Sequence, residues 1–279
     1  MNTRDCLQQA SDLLADAGCD SPRLDAELLL MHAWKVSKTD LIIRMHDQLP
    51  APVRKNFDML LGRRLKREPV AYILGEKEFW SRSFHVDPRV LIPRPETEHV
   101  IEEMLKLYPD CNTPYRFCDI GTGSGCIACT LAVEYPNAEL IATDISNDSL
   151  DVARMNAARL KLEKRITFRV GDMLSALGND TGPFDAIVSN PPYVSRKEME
   201  GLEPELAYEP RHALTDEGSG DHFLSVLFNE CPDWLSEGGY LVVETGLCGL
   251  PHPPPHLQQI KTYRDLAGNI RGGIYRYQP

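Results

Sequence analysis

Four consecutive residues, Asn190-Pro191-Pro192-Tyr193, bring together groups suited to chemistry on a planar nitrogen. An amide or aromatic-amine nitrogen is a weak nucleophile because its lone pair is delocalised. The Asn190 side-chain oxygen and the Pro191 carbonyl can each accept one N–H of a planar NH2 group. That aims the nitrogen and favours its pyramidalisation as a new bond forms, a contribution that is positional and electrostatic. Pro191 has no N–H of its own to compete. Tyr193 offers an aromatic face to the substrate plane and to developing positive charge. The product nitrogen can lose its proton after transfer, so no strong general base is needed. The two prolines also stop the preceding run, Ile187-Val188-Ser189, from continuing as a central strand, and they send the chain out as a stiff loop. A rigid turn around a packed tyrosine is the bland alternative for an isolated tetrapeptide of this kind. Its place after a strand of a glycine-loop domain weighs against that alternative.

The glycine loop is Asp119-Ile120-Gly121-Thr122-Gly123-Ser124-Gly125, where a first strand turns into a first helix. Glycines there permit a tight turn and let a ligand press against bare backbone beside a helix N-terminus. The dinucleotide fingerprint requires a further glycine at position 126, and this chain has Cys126, which tells against a nicotinamide or flavin enzyme. Asp144 ends the next strand, about 20 residues past the glycines, where a carboxylate can accept hydrogen bonds from both ribose hydroxyls. After the third strand comes Gly171-Asp172-Met173, a carboxylate and an apolar side chain that could flank an adenine ring. Asp172 serves equally well as a turn residue capping the segment that follows. Together these strand ends describe an adenosine site at the carboxyl edge of a sheet. S-adenosylmethionine fits it, having no phosphates and a sulfonium charge that acidic surroundings suit.

These residues need a scaffold, and the patterning supplies one. From Tyr115 onward short apolar strands alternate with helices, the signature of a parallel sheet covered on both faces. The strands are expected at Arg116–Ile120, Glu139–Thr143, Ile166–Val170, Ala186–Ser189 and Tyr240–Val243. Helices are expected at Ile127–Glu134, Ser149–Leu160 and His222–Leu235, the last stopped by Gly238-Gly239. Upstream, Arg94-Pro95 opens a helix whose buried stripe is Val100, Ile101, Met104 and Leu105. The stretch from Val70 to Ile92 reads as a hairpin joining two domains. The first seventy or so residues are helical. Leu7, Ala10, Leu13, Leu14 and Ala17 recur at helical spacing before Gly18, Ser21-Pro22 starts a second helix over Leu24–Met31, and Pro52 starts a third. The expected organisation is a helical domain at 1–72, a hairpin linker at 73–94 and a catalytic domain at 95–279.

Composition narrows the partners. At 279 residues, with 42% hydrophobic and 25% charged residues, the chain is an ordinary globular protein. No apolar run approaches the roughly 20 residues that cross a bilayer, and the N-terminus lacks the apolar core of a signal peptide. A cytoplasmic protein with no membrane partner is expected. Eight cysteines without a regular framework read as reduced thiols. Cys126 and Cys129 lack a second pair and read as small buried helix residues, so no metal is expected. A net charge of −11 argues against a nucleic-acid partner. The basic run Arg63-Arg64-Leu65-Lys66-Arg67 reads as a solvated helix face or a protein contact.

Several segments together resemble the release-factor glutamine methyltransferases: Val90-Leu91-Ile92-Pro93-Arg94-Pro95-Glu96-Thr97-Glu98, Asp119–Gly125 and Ile187–Tyr193, with Glu68-Pro69-Val70-Ala71-Tyr72-Ile73, Gly75 and the ending Arg264-Asp265-Leu266-Ala267-Gly268. The resemblance runs in order over nearly the whole chain. It implies a seven-stranded, Rossmann-like class I methyltransferase domain behind a helical N-terminal domain that recognises the substrate and a hairpin linker. It implies S-adenosylmethionine as cofactor, held by Gly121 to Gly125, Asp144, Met173 and Asn190. The substrate it implies is the glutamine of the GGQ motif in class 1 peptide-chain release factors, held by Asn190 to Tyr193. The chain departs from the family in two places. Gly218-Ser219-Gly220-Asp221-His222 stands where Gly-x-Asp-Gly-Leu is usual. After Glu244-Thr245-Gly246 the proline-rich Pro251-His252-Pro253-Pro254-Pro255-His256 replaces an expected helix, which puts the pairing of the last strands in question.

Other readings keep part of this chemistry. A glutamine of a large-subunit ribosomal protein would suit the same pocket, and the Pro93–Glu98 wording favours release factors over it. An exocyclic amine of a nucleic-acid base has similar geometry, but flipped bases need basic walls. A non-catalytic adaptor of the same fold would not need the intact glycines, Asp144 and Asn190. The helical domain and the Arg63–Arg67 run are expected to provide a second contact for a large protein substrate.

Overall fold

The computed structural model describes residues 1–178, 182–265 and 267–279. Leu266, in the chain ending quoted above, lies outside them. Tertiary contacts gather Met1–Glu76 and Glu203–Tyr208 into one unit, and Lys77–Leu202 and Glu209–Pro279 into another.

In the first unit, helix α1 (Thr3–Asp16) starts on Asn2, whose side chain accepts the Asp5 N–H at 2.8 Å. It buries Cys6, Leu7, Ala10 and Leu14 along one stripe. Helix α2 (Pro22–Trp34) begins with its proline in the first turn, but Ser21 makes no side-chain cap bond, so the expected cap is positional only. The helix also runs past Met31 to Trp34. Helix α3 (Lys38–Ile43) was not expected: six residues are too few to show a period, although Ser37 and Asp40 form a reciprocal capping box. Helix α4 (Ala51–Arg64) carries Phe57, Leu60 and Leu61 into the core.

A short α5 (Val70–Leu74) then replaces the start of the expected hairpin. Pro69 presets its entry and Gly75, at φ 74°, closes it in a left-handed cap. The three arginines of the basic run are ion-paired, while Lys66 is exposed. Arg64 is buried and bonds Asp25 and Glu205, each at 2.8 Å, while Arg67 reaches Glu205 at 2.6 Å and Arg63 pairs with Glu68 at 2.5 Å. Glu68 beside the run, and Asp25 and Glu205 distant in sequence, offset the charge of its arginines.

The hairpin is β1 (Glu76–Phe79) and β2 (Arg82–His85), and all of it but Glu76 belongs to the second unit. A 3-10 turn, Pro95–Thr97, leads into α6 (Glu98–Leu107). Strand β3 (Arg116–Ile120) is followed by α7 (Cys126–Glu134), β4 (Glu139–Asp144), α8 (Asn147–Arg159), β5 (Ile166–Val170) and β6 (Phe184–Ser189). Helix α9 (His222–Glu230) and strands β7 (Leu235–Glu244), β8 (Leu257–Arg264) and β9 (Ile270–Tyr277) complete it. The sheet has seven strands in the order β5-β4-β3-β6-β7-β9-β8. Strands β3 to β7 pair in parallel, and β9 runs antiparallel between β7 and β8.

Alternate residues of the central strands serve opposite faces. Phe117, Ala186, Val188 and Val242 join the core under α6 and α7, while Cys118, Ile187, Leu241 and Val243 join the one under α9. Cys126 and Cys129 are buried on α7, and all eight cysteines are free thiols. Burial pushes the Cys126 thiol up to about 12.

Two expectations are corrected here. Helix α9 stops at Glu230 because Pro232, in the turn Cys231–Asp233, has no N–H for the next helical bond. Leu235, Gly238 and Gly239 therefore belong to β7, not to a helix end. The proline-rich segment leaves the last strands in order: with no helix assigned between Gly246 and His256, β8 and β9 still pair from Leu257↔Tyr277 to Arg264↔Ile270. Among the described residues no helix is long and apolar enough to cross a membrane.

Candidate active site

Parallel register brings the chemistry-bearing residues to one edge. Ile120 pairs with Thr143 on one side and Ser189 on the other, and Asp144 pairs with Val170. The residues just beyond these strand ends are Gly121, Asn190 and Gly171. The chain builds outward from β3 through β4 to β5, then crosses to β6. This reversal opens a crevice at the carboxyl ends of β3 and β6, the place where open α/β sheets bind ligands.

The glycine loop holds its shape through its own backbone. Gly121, Gly123 and Gly125 take φ values of 73°, 55° and 78°, in the left-handed region that a side chain disfavours. Asp119 steadies the turn from below: its Oδ2 accepts the Thr122 hydroxyl at 2.6 Å and the Ala128 N–H at 3.1 Å. Its Oδ1 is buried without a partner, and burial pushes the carboxyl up to about 7. Asn156 of α8 donates to the Ser124 carbonyl at 2.8 Å and also bonds both the N–H and the carbonyl of His85, tying the loop to the hairpin. Asp144 is fixed from two sides, Oδ2 accepting the Gly123 N–H and Oδ1 the Ser146 N–H, both at 2.9 Å. Burial raises its pKa; these two bonds and the charge of His212 pull the other way.

A cleft of about 560 Å³ lies along this edge. Gly121, Gly123, Asp144, Asp172, Met173, Asn190 and Pro192 line it. Thr122, Ser124, Gly125, Pro191 and Tyr193 are not among its lining residues. The Asp172 carboxylate makes no cap bond to the 3-10 turn Met173–Leu177 that follows and stays exposed on the cleft. The wall supplied by Arg211, His212, Thr215, Asp216 and Phe223 was not expected from the sequence. Val194 bridges to Thr215, so the segment after the tetrapeptide folds back beside it.

At the tetrapeptide, Asn190 Nδ2 donates to the Thr97 hydroxyl oxygen at 3.1 Å, and Asn190 Oδ1 is buried without any partner. Tyr193 donates its hydroxyl to Glu244 Oε1 at 3.0 Å. Its ring packs on Gly246, where a Cβ would stand 2.5 Å from Cδ2. Burial, with the Glu244 charge beside it, raises the tyrosine pKa and keeps the hydroxyl a donor. Glu244 is itself buried and pushed up to about 7, with the Thr97 and Tyr193 hydroxyls favouring its ionised form.

Comparison with known proteins shows the family. A model of the PrmC N-terminal domain matches residues 5–75, and one of the methyltransferase small domain matches residues 102–230. A release factor glutamine methyltransferase of Koribacter versatilis is 40% identical over 273 residues, 98% of this chain and 96% of that protein. The chain belongs to the release factor glutamine methyltransferase family. Proteins of that name from Neisseria gonorrhoeae and Coxiella burnetii are 41% and 42% identical, covering 81% and 92% of this chain and the same shares of their own. As a member of the family, the chain is a methyltransferase.

Sequence reasoning missed the supporting residues. Thr97 and Glu244 stand inside segments it used only to recognise the family. Gly246 was a landmark beside them. Their bonds to Asn190 and Tyr193 span 93 and 51 residues, and no local pattern encodes such pairings.

Proposed function

We propose that this protein methylates the side-chain amide nitrogen of a glutamine, that of the GGQ motif in class 1 peptide-chain release factors, using S-adenosylmethionine. The single observation that carries the reading is Asn190 Oδ1, a buried acceptor without a partner on a residue that lines the cleft. A glutamine NH2 group supplies the missing donor. The Asn190 bond holds the nitrogen in place and is strongest as the nitrogen becomes tetrahedral, so it favours the transition state over the ground state.

The residues present fit the cofactor. Gly121 and Gly123 offer bare backbone, Asp144 retains lone pairs beyond its two backbone bonds, and Asp172 and Met173 flank the cleft. S-adenosylmethionine, when bound, supplies an electrophilic methyl group. Asn190 and the Pro191 carbonyl orient the amide, the tetrapeptide loop keeps it out of water, and the nitrogen gives up one proton after the new N–C bond forms. The family resemblance supports a release factor as acceptor, and the charge of −11 speaks against a nucleic-acid groove. A translation factor as substrate implies work in the cytoplasm.

Incubation with labelled S-adenosylmethionine and a purified class 1 release factor tests this. Label on the GGQ glutamine is expected. Label on a ribosomal protein or a nucleic acid instead, or on no acceptor, would overturn it.

A further inference from the structure

Asn190 can offer the free end of its amide as an acceptor only if the amide is held one way round, and the residues that hold it determine which. Thr97 ends the turn Pro95–Thr97, and its hydroxyl oxygen meets the Asn190 amide at 3.1 Å. A hydroxyl has one proton to give and can accept as well. If Thr97 gives that proton to a group behind it, its oxygen accepts from Asn190 Nδ2, and Oδ1 is left free to accept. If Thr97 instead gives its proton to Asn190, the amide turns over and an NH2 group takes the place of Oδ1. A second donor there would repel the N–H of a substrate amide.

The group behind Thr97 is Glu244, at the end of β7. Its Oε1 accepts the Tyr193 hydroxyl at 3.0 Å, and its Oε2 is buried with no hydrogen-bond partner. The Thr97 hydroxyl lies close enough to favour the ionised carboxylate. An ionised carboxylate only accepts, so it draws the Thr97 proton toward itself. We propose that Glu244, acting through the Thr97 hydroxyl, is a positioning residue that sets the Asn190 amide with its oxygen toward the substrate, while the same carboxylate anchors Tyr193 through its hydroxyl. It touches no reacting atom. The proposal rests on the methylation reading and deepens it by assigning a proton-dependent control of the acceptor.

A protonated Glu244 would reverse the chain: its O–H donates to Thr97, Thr97 donates to Asn190, and the amide flips. Burial holds the Glu244 carboxyl up to about 7, so the reversal falls near neutrality. The titratable and charged groups around it are Tyr193 from the loop, Glu96 from the turn, Arg271 and Tyr263 from the neighbouring strands and Cys126 from α7. The tyrosines and the thiol stay protonated in this range, their pKa values being raised by burial. Arg271 is a fixed cation, paired with Asp265 at 2.8 Å.

The experiment compares wild type, E244Q, T97V and T97S in methyl transfer from S-adenosylmethionine to whole release factor, with kcat followed from pH 5.5 to 9. Wild type should lose kcat on the acid side with an apparent pKa near 7. E244Q places a permanent donor or a weaker acceptor behind Thr97; its kcat should fall by about 10–100-fold and its acid limb should disappear, with KM for the cofactor unchanged. T97V should resemble E244Q, and T97S should recover to within about three-fold of wild type, because serine keeps the hydroxyl. E244Q with wild-type kcat and an intact acid limb would overturn the proposal. So would T97V and T97S behaving alike. If E244Q does not fold, the T97V and T97S pair decides alone. Transfer by wild type separates the two readings: without it the function itself fails and the relay with it, whereas transfer with wild-type behaviour in the variants removes only the relay.

Discussion

Asp144 Oδ2 accepts the backbone N–H of Gly123 at 2.9 Å, so the carboxylate that would hold a ribose also locks the glycine loop it faces. The two halves of the proposed cofactor site are therefore one mechanical unit. Asp144→Ala removes a charge-assisted acceptor and a loop anchor together. Calorimetric titration with S-adenosylmethionine should show affinity falling about 10–100-fold, the equivalent of one charged hydrogen bond of roughly 1.5–3 kcal/mol. Unchanged affinity would place the ribose elsewhere.

Asn190 contributes little to the fold, since its side chain makes one described hydrogen bond, to Thr97. Asn190→Ala should cost only about 0.5–1.5 kcal/mol of stability. Methyl transfer should drop by about 10²–10³-fold, as when one preorganised partner of a transition state is removed. Thermal unfolding and single-turnover transfer, measured on the same preparation, separate the two effects.

How much of this was legible follows from how local each signal is. Strands Arg116–Ile120 and Ile166–Val170 match the sequence expectation at both ends, and a glycine, Gly121 or Gly171, stands directly after each. Helices α3 and α5 went unseen because six and five residues hold less than two turns of pattern. The end of α9 was misplaced because Gly238-Gly239 looked like a stop, while the operative break is Pro232. The glycine loop, Asp144 and Asn190 were visible as strand-end residues. The Glu244–Tyr193 and Asn190–Thr97 bonds were not, since they join elements that only the sheet topology brings together. The Arg63–Arg67 run misled for the same reason: Arg64 meets Asp25 and Glu205 across 39 and 141 residues.

Gly246 sets how closely the tyrosine can approach. A Cβ at that position would lie 2.5 Å from Tyr193 Cδ2, so Gly246→Ala must push the ring and strain its bond to Glu244. Overpacking of this kind costs about 1–3 kcal/mol. The substitution should lower the denaturation midpoint and reduce transfer without weakening cofactor binding. Normal turnover in a destabilised Gly246→Ala protein would show that the Tyr193 ring position is immaterial to catalysis.

Asp119 gives the ligand-free protein a distinctive pH response. Its carboxyl is pushed from an ordinary value near 3.8 up to about 7 by burial, so the folded state binds a proton that the unfolded state releases across that window. Stability from this group is fully present below about 3.8 and is lost as pH rises through about 7. Asp119→Asn keeps an oxygen for Thr122 and Ala128 and cannot ionise. Urea unfolding should therefore show the variant gaining on wild type between pH 5 and pH 8. A constant difference across that range would mean that Asp119 ionises at an ordinary pKa.

Arg64 is the strongest test of the N-terminal unit, because its neighbours in the same basic run provide internal controls. It is 6% exposed and lies between Asp25 and Glu205 at 2.8 Å each. Arg64→Ala leaves both carboxylates shielded with less compensation, and removing one partner of a buried pair costs about 3–5 kcal/mol. Arg67 still reaches Glu205 at 2.6 Å, which spares that carboxylate and leaves Asp25 the more exposed to the loss. Arg63, whose side chain is 41% exposed beside Glu68, should cost no more than about 1 kcal/mol when changed to alanine. Asp25→Asn in the Arg64→Ala background should recover part of the loss, since it removes the stranded charge. Equal midpoints for Arg64→Ala and Arg63→Ala in denaturant would return the run to a solvated helix face.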